Sequence, residues 1–186
     1  MMRSILAAAA TAALIMPAVA EDAQIGPTVG DAAPVFAAVA ADGTAVDLAA
    51  ISGSEGAILV FSRSLDWCPF CKTQATDLDD ATPALTEAGW ALNLITYDAP
   101  ETLLAYGETE ELSYTLLSDT DSAMIDAFGL RNAEVPADSR FAGIPHPAIV
   151  YVGADGTVQA VLREEGFRTR PAKELVISTA QSLAAE

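Results

Sequence analysis

Apolar residues in this chain follow two rhythms. Ala57-Ile58-Leu59-Val60-Phe61 and Ala148-Ile149-Val150-Tyr151-Val152 are unbroken apolar runs rich in β-formers. Such runs fit strands buried on both faces of a sheet covered by helices. Ala91 to Tyr97 reads as another strand, and Tyr114 to Leu117 as a brief extended segment. Between them the spacing becomes helical. Cys71, Ala75, Leu78 and Leu85 share one stripe, with Lys72, Asp77, Asp79 and Asp80 largely off it. Pro83 must kink or restart that helix. Pro100 starts a short helix carrying Leu103, Leu104 and Tyr106. Met124, Ile125 and Phe128 mark another between Ser122 and Leu130. Pro171 opens a last one with Leu175, Val176 and Leu183 facing inward.

Turn signals join these runs. Asp42-Gly43 links a small apolar run ending near Ala40 to Ala45-Val46-Asp47-Leu48, an N-terminal hairpin. Asp155-Gly156 folds the Ala148–Val152 strand back into Thr157–Leu162. Asn132 to Phe141 is a polar loop. The order β-β-β-α-β-α-(β)-α-β-β-α predicts one α/β domain. Its central mixed β-sheet is flanked by helices on both faces and extended by the N-terminal β-hairpin.

The first twenty residues belong to a different class. Met1-Met2-Arg3 is a short basic start, Ile5 to Met16 is apolar, and Ala18-Val19-Ala20 is a small-x-small cleavage pattern. These are the three parts of a secretory signal peptide. The Ile5–Val19 stretch falls short of the ~20 apolar residues a spanning helix needs, and it contains Pro17. The expected organisation is a signal peptide over 1–20, cleaved after Ala20, a loop over 21–28, and the domain over 29–184. The expected location is periplasmic or otherwise exported, with no membrane span after cleavage. The formal net charge of −17 argues against nucleic acid or an anionic membrane as a partner held by the overall field. It suits solubility and, weakly, basic partner surfaces.

The chemistry is concentrated in Trp67-Cys68-Pro69-Phe70-Cys71, which holds both cysteines of the chain. A disulfide closing so short a ring stabilises a fold by only about 2 kcal/mol. The pair is a poor staple, so redox chemistry is the stronger reading. Pro69 suits a first helical position and places Cys68 at the N-cap. Unpaired N–H groups and the helix dipole there favour the thiolate, the attacking species. Cys71, one turn on, is expected to be more buried and kept as a thiol. It then attacks the mixed disulfide formed by Cys68 and releases the reduced partner.

Trp-Cys-x-x-Cys between an apolar strand and a helix resembles the active site of the thioredoxin superfamily. The wider chain is similar to its redoxin branch, the peroxiredoxin-related AhpC/TSA family. Val29 to Phe36 resembles that family's opening and Val60-Phe61-Ser62-Arg63 its first core strand. Leu116-Leu117-Ser118-Asp119 with Phe128-Gly129 resembles its middle, and Pro147 to Gly156 its cis-proline strand and turn. The likeness covers residues 29 to 184 and implies a thioredoxin-like fold with no cofactor. It also implies that Pro147, with Pro145 as rival, is a cis-proline beside the cysteines. His146, the single histidine, would then lie near the sulfurs, stabilising the Cys68 thiolate or shuttling its proton. Trp67 would pack beside the disulfide and offer partner surface, or serve simply as a core residue.

The chain also departs from the pattern. Peroxiredoxins carry Thr or Ser three positions before the peroxide-attacking cysteine, and Pro four positions earlier. Leu65 and Phe61 stand there. Their peroxide-polarising Arg precedes the late core strand, where this chain has His146-Pro147. Arg63 and Arg140 are the candidate substitutes, and both read first as surface or structural residues. Thioredoxin's buried carboxylate is replaced by Ser62, leaving a water or Asp66 as stand-in. These departures favour an exported thiol–disulfide oxidoreductase acting on protein or small thiol and disulfide substrates, with an external thiol electron donor. The alternative is a thiol peroxidase acting on peroxides, with Cys68 peroxidatic and Cys71 resolving. A third reading, a Cu(I) site from Cys68, Cys71 and His146, suits proteins whose cysteines are usually spaced one residue further apart.

Overall fold

The computed structural model describes residues 24–185. The expected signal peptide and its cleavage point lie outside the described residues. Long apolar runs become central strands, and shorter runs become edges. The strands are β1 (Ala38–Ala40), β2 (Ala45–Val46), β3 (Gly56–Phe61), β4 (Trp90–Thr96), β5 (Thr115–Ser118), β6 (Ala148–Gly153) and β7 (Val158–Leu162). They form one sheet in the order β2-β1-β5-β4-β3-β6-β7. Strands β3, β4 and β5 run parallel. The β1–β2 and β6–β7 hairpins pair antiparallel at the two edges, so the sheet is mixed as expected.

The helices are α1 (Pro69–Asp79), α2 (Thr82–Glu87), α3 (Pro100–Thr109), α4 (Ala123–Ala127) and α5 (Lys173–Leu183). Pro83 restarts the chain as α2 rather than kinking α1. Strand β3 is buried throughout. Its period of two sends Ile58 and Val60 into one core with Cys71, Leu78, Leu85, Leu103 and Val176. Ala57, Leu59 and Phe61 face the opposite core, against Met124, Ile125 and Phe128. Each large apolar side chain so buried contributes about 1.5–3 kcal/mol. Gly56 starts β3 at φ 146°, where an added Cβ would lie 2.1 Å from the Val152 carbonyl oxygen. Only glycine permits the close pairing with β6 at that point.

Two sequence expectations are corrected. Leu175 is 46% exposed. The inward stripe of α5 is Val176 and Ala180, with Leu183 packed at its margin. Leu175 precedes Val176 by one residue, about 100° around the helix. Leu104 lies outward beside buried Leu103 for the same reason. Second, no described peptide bond is cis, so Pro145 and Pro147 are both trans. Pro145 pairs with Arg131 in an isolated antiparallel bridge, and the His146 N–H donates to the Leu130 carbonyl at 2.7 Å. That extended approach leads directly into β6 without a reversal. Among the described residues, no helix is long and apolar enough to cross a membrane.

Candidate active site

Strand β3 ends at Phe61, and a tight loop carries the chain into α1. The loop is framed by Asp98, just beyond β4. Its carboxylate accepts from the Ser64 hydroxyl at 2.8 Å, the Leu65 N–H at 2.6 Å and the Thr96 hydroxyl at 2.8 Å. Ser64 Oγ in turn accepts from the N–H groups of Asp66 (3.0 Å) and Trp67 (3.3 Å). The backbone before the cysteines is thus tied to the neighbouring strand. Leu65 points into the core that contains Cys68 and Cys71.

Helix α1 starts at Pro69 with Cys68 as its N-cap. Cys68 Sγ accepts from the Cys71 N–H at 3.3 Å, satisfying one of the helix's unpaired donors. The two cysteines form a disulfide with their Cα atoms 5.3 Å apart. Both are fully buried. Burial therefore does not distinguish them, contrary to the expectation that Cys71 is the more buried. Each is instead covered by a side chain from another part of the chain.

Those side chains are two arginines. An Arg63 Nη donates to Cys68 Sγ at 3.2 Å. The Arg63 guanidinium lies 4.4 Å from the centroid of Phe167 and 5.4 Å from that of Trp67. Its Nε is buried without a partner. Burial lowers its pKa. An Arg170 Nη lies 3.7 Å from Cys71 Sγ. Arg170 Nε donates to Gln74 Oε1 at 3.0 Å, and its other Nη to the carbonyls of Phe167 and Thr169. Burial, and then the like charge of Arg63, push Arg170 down to about 10, so it remains a cation at neutral pH.

Trp67 is half-buried. Its Nε1 donates to the Tyr97 hydroxyl at 2.9 Å, and its ring packs on Phe141 at 4.6 Å. Arg140 sits over Phe141 rather than at a sulfur. Phe70 and Phe167 are exposed (39% and 44%) and meet edge to face, a small apolar surface beside the disulfide. His146 and Pro147 line a cavity of about 390 Å³ that also includes Arg63, Arg163, Glu134 and Phe167. Burial lowers the His146 pKa, Arg163 lowers it further, and Glu134 opposes both. Arg63 is the cation that meets Cys68, the place anticipated for His146. Among the described residues no three His, Cys, Asp or Glu side chains converge as metal ligands. Asp66 is exposed, and Ser62 is buried with an unpartnered hydroxyl, so neither supplies a carboxylate beneath the disulfide.

Residues 29–161 match the model of the AhpC/TSA family. The chain belongs to the AhpC/TSA family. It is 32% identical over 149 residues to peroxiredoxin Bcp of Escherichia coli, covering 80% of this chain and 92% of that protein. Its fold recurs among solved structures. Peroxidoxin BcpB from Mycobacterium tuberculosis has a TM-score of 0.71 at 18% identity, over 87% of this chain and 98% of the other. A peroxiredoxin-like protein from Aquifex aeolicus has 0.70 at 20% identity, over 86% and 90%. The AhpC/TSA chain is thus a thiol-based, peroxiredoxin-like oxidoreductase with a thioredoxin-like fold.

Arg170, Asp98, Ser64 and Tyr97 went unnoticed in the sequence. Arg170 reaches Cys71 across 99 positions and Asp98 reaches Ser64 across 34. The one available signal was Phe167-Arg168-Thr169-Arg170, an aromatic and cationic run in an otherwise acidic chain.

Proposed function

We propose that the protein is a thiol-dependent peroxidase, with Cys68 peroxidatic and Cys71 resolving. The observation that carries this reading is the Arg63 guanidinium on Cys68 Sγ. It places a fixed positive charge where a thiolate must form and where a peroxide oxygen gains negative charge. Family membership supports the same reading. The Cys68 thiolate attacks the terminal peroxide oxygen and the O–O bond breaks. Cys68 becomes a sulfenic acid, and the alkoxide takes a proton and leaves as an alcohol, or as water from hydrogen peroxide. Cys71 then attacks the Cys68 sulfur, forming the disulfide and releasing water. Two thiols of an external donor restore the dithiol and leave as a disulfide. Stopped-flow mixing of reduced protein with hydrogen peroxide and with an alkyl hydroperoxide tests this. The expected rate far exceeds that of free cysteine at the same pH, Cys68→Ser abolishes it, and Cys71→Ser halts at a trappable sulfenic acid. A wild-type rate equal to that of free cysteine overturns the proposal.

A second reading, disulfide exchange with protein substrates, is favoured by Leu65. Its side chain lies in the core at the position where peroxiredoxins carry a hydroxyl. Insulin reduction coupled to a thiol donor distinguishes it. We also read residues 1–20 as an export signal, which predicts a mature N-terminus at Glu21.

A further inference from the structure

We propose that Arg170 is a catalytic residue that stabilises Cys71 as a thiolate, a second charge site beside that of Arg63 on Cys68. The inference rests on the pair cycling between dithiol and disulfide, and is independent of which oxidant closes it.

The geometry is that of a charge held ready. Arg170 approaches Cys71 Sγ to 3.7 Å. Its other donors are taken by neutral acceptors, Gln74 Oε1 and two backbone carbonyls. No carboxylate bonds to it among the described residues, so its charge is not cancelled locally. Arg63 is unpaired in the same way and close enough to repel Arg170. An anion on either sulfur relieves that repulsion. The segment carrying Arg170, between β7 and α5, is anchored by the Phe167–Phe70 contact and by Gln74 on α1.

The chemical consequence lies in both half-cycles. When a donor thiolate attacks Cys68, the S–S bond breaks and its electron pair passes to Cys71 Sγ. Cys71 leaves as a thiolate beside Arg170, while Cys68 is held in a mixed disulfide with the donor. A second donor thiolate then attacks the donor's sulfur and expels Cys68 as a thiolate beside Arg63. A thiol of lower pKa leaves faster. In the oxidative half-cycle the same cation keeps Cys71 ionised for its attack on the Cys68 sulfenic acid. Cys71 is then a thiolate-competent partner rather than a passive buried thiol.

The test isolates Cys71. In Cys68→Ser protein, the Cys71 thiolate is titrated by its ultraviolet band, with and without Arg170→Gln. Arg170→Gln is expected to raise the Cys71 pKa by about one or more. In the otherwise wild-type chain it slows reduction of the disulfide by dithiothreitol by about threefold or more. Arg170→Lys restores part of both effects. Gln74→Leu, which frees the guanidinium without removing it, gives a smaller rise and carries the test if Arg170→Gln does not fold. A Cys71 titration unchanged by Arg170→Gln in folded protein, or by Gln74→Leu if that variant alone folds, overturns the proposal. No peroxide enters these measurements, so failure of the peroxidase reading would be seen separately.

Discussion

Arg63 and Cys68 meet guanidinium to sulfur across 3.2 Å, five positions apart in a loop that the neighbouring strand holds in place. Replacing Arg63 with Gln removes the charge and leaves a shorter, neutral amide. The reaction of reduced protein with peroxide should slow by about tenfold to a hundredfold, and the Cys68 pKa should rise. Single-turnover stopped flow across a pH series measures both. An unchanged rate and pKa would mean that the guanidinium only packs against Phe167.

Leu65 is the departure from the peroxiredoxin pattern most easily reversed. Its side chain is buried in the same core as Cys71 and Leu78. Leu65→Thr therefore places a hydroxyl in an apolar site and removes packing, a loss of about 1–3 kcal/mol. The peroxide rate should not increase, because Arg63 already donates to Cys68 Sγ. Denaturant unfolding and stopped flow check the two halves. A tenfold faster variant would show that the hydroxyl reaches the sulfur.

Asp98 frames the active-site loop through three donors. Asp98→Ala leaves the Leu65 N–H and two hydroxyls without their acceptor. A cost of about 2 kcal/mol is expected, together with faster amide exchange at Leu65, Asp66 and Trp67. Exchange confined to other segments would contradict the framing role.

His146 gives a pH signature. Its folded pKa lies below the usual 6.5, chiefly because of burial. Between that lowered value and 6.5 the unfolded chain binds a proton that the folded chain does not. Stability should therefore fall as pH drops through this window and level off below it. The chain has one histidine, so His146→Asn should flatten that part of the curve. A slope that persists in the variant assigns the effect elsewhere.

The strand and helix plan was legible because it depends on local apolar spacing. β3 and β6 announce themselves as unbroken runs, Pro83 divides α1 from α2, and Pro69 marks Cys68 as the N-cap. The site was legible only along the chain. Arg63 was noticed as a candidate, but nothing in Ser62-Arg63-Ser64 says that its guanidinium turns back onto a sulfur. Arg170 and Asp98 are brought in by tertiary packing, which leaves no periodic trace. The cis bond expected at Pro147 is absent. A family pattern suggested a cis bond, while the backbone pairing of Arg131 with Pro145 and the hydrogen bond from His146 to Leu130 hold the segment extended.

The two unpaired arginines also bear on how oxidation state couples to melting. A disulfide normally raises the melting temperature, but a ring this short contributes only about 2 kcal/mol. In the oxidised protein, Arg63 and Arg170 repel each other and neither bonds a carboxylate among the described residues. Reduction introduces an anion. The reduced form therefore recovers by charge neutralisation part of what it loses in chain constraint. The melting temperatures of the two forms should lie closer together than a native disulfide usually sets them. Removing Arg170 should widen that gap, making calorimetry of the oxidised and reduced protein a readout of the same two cations.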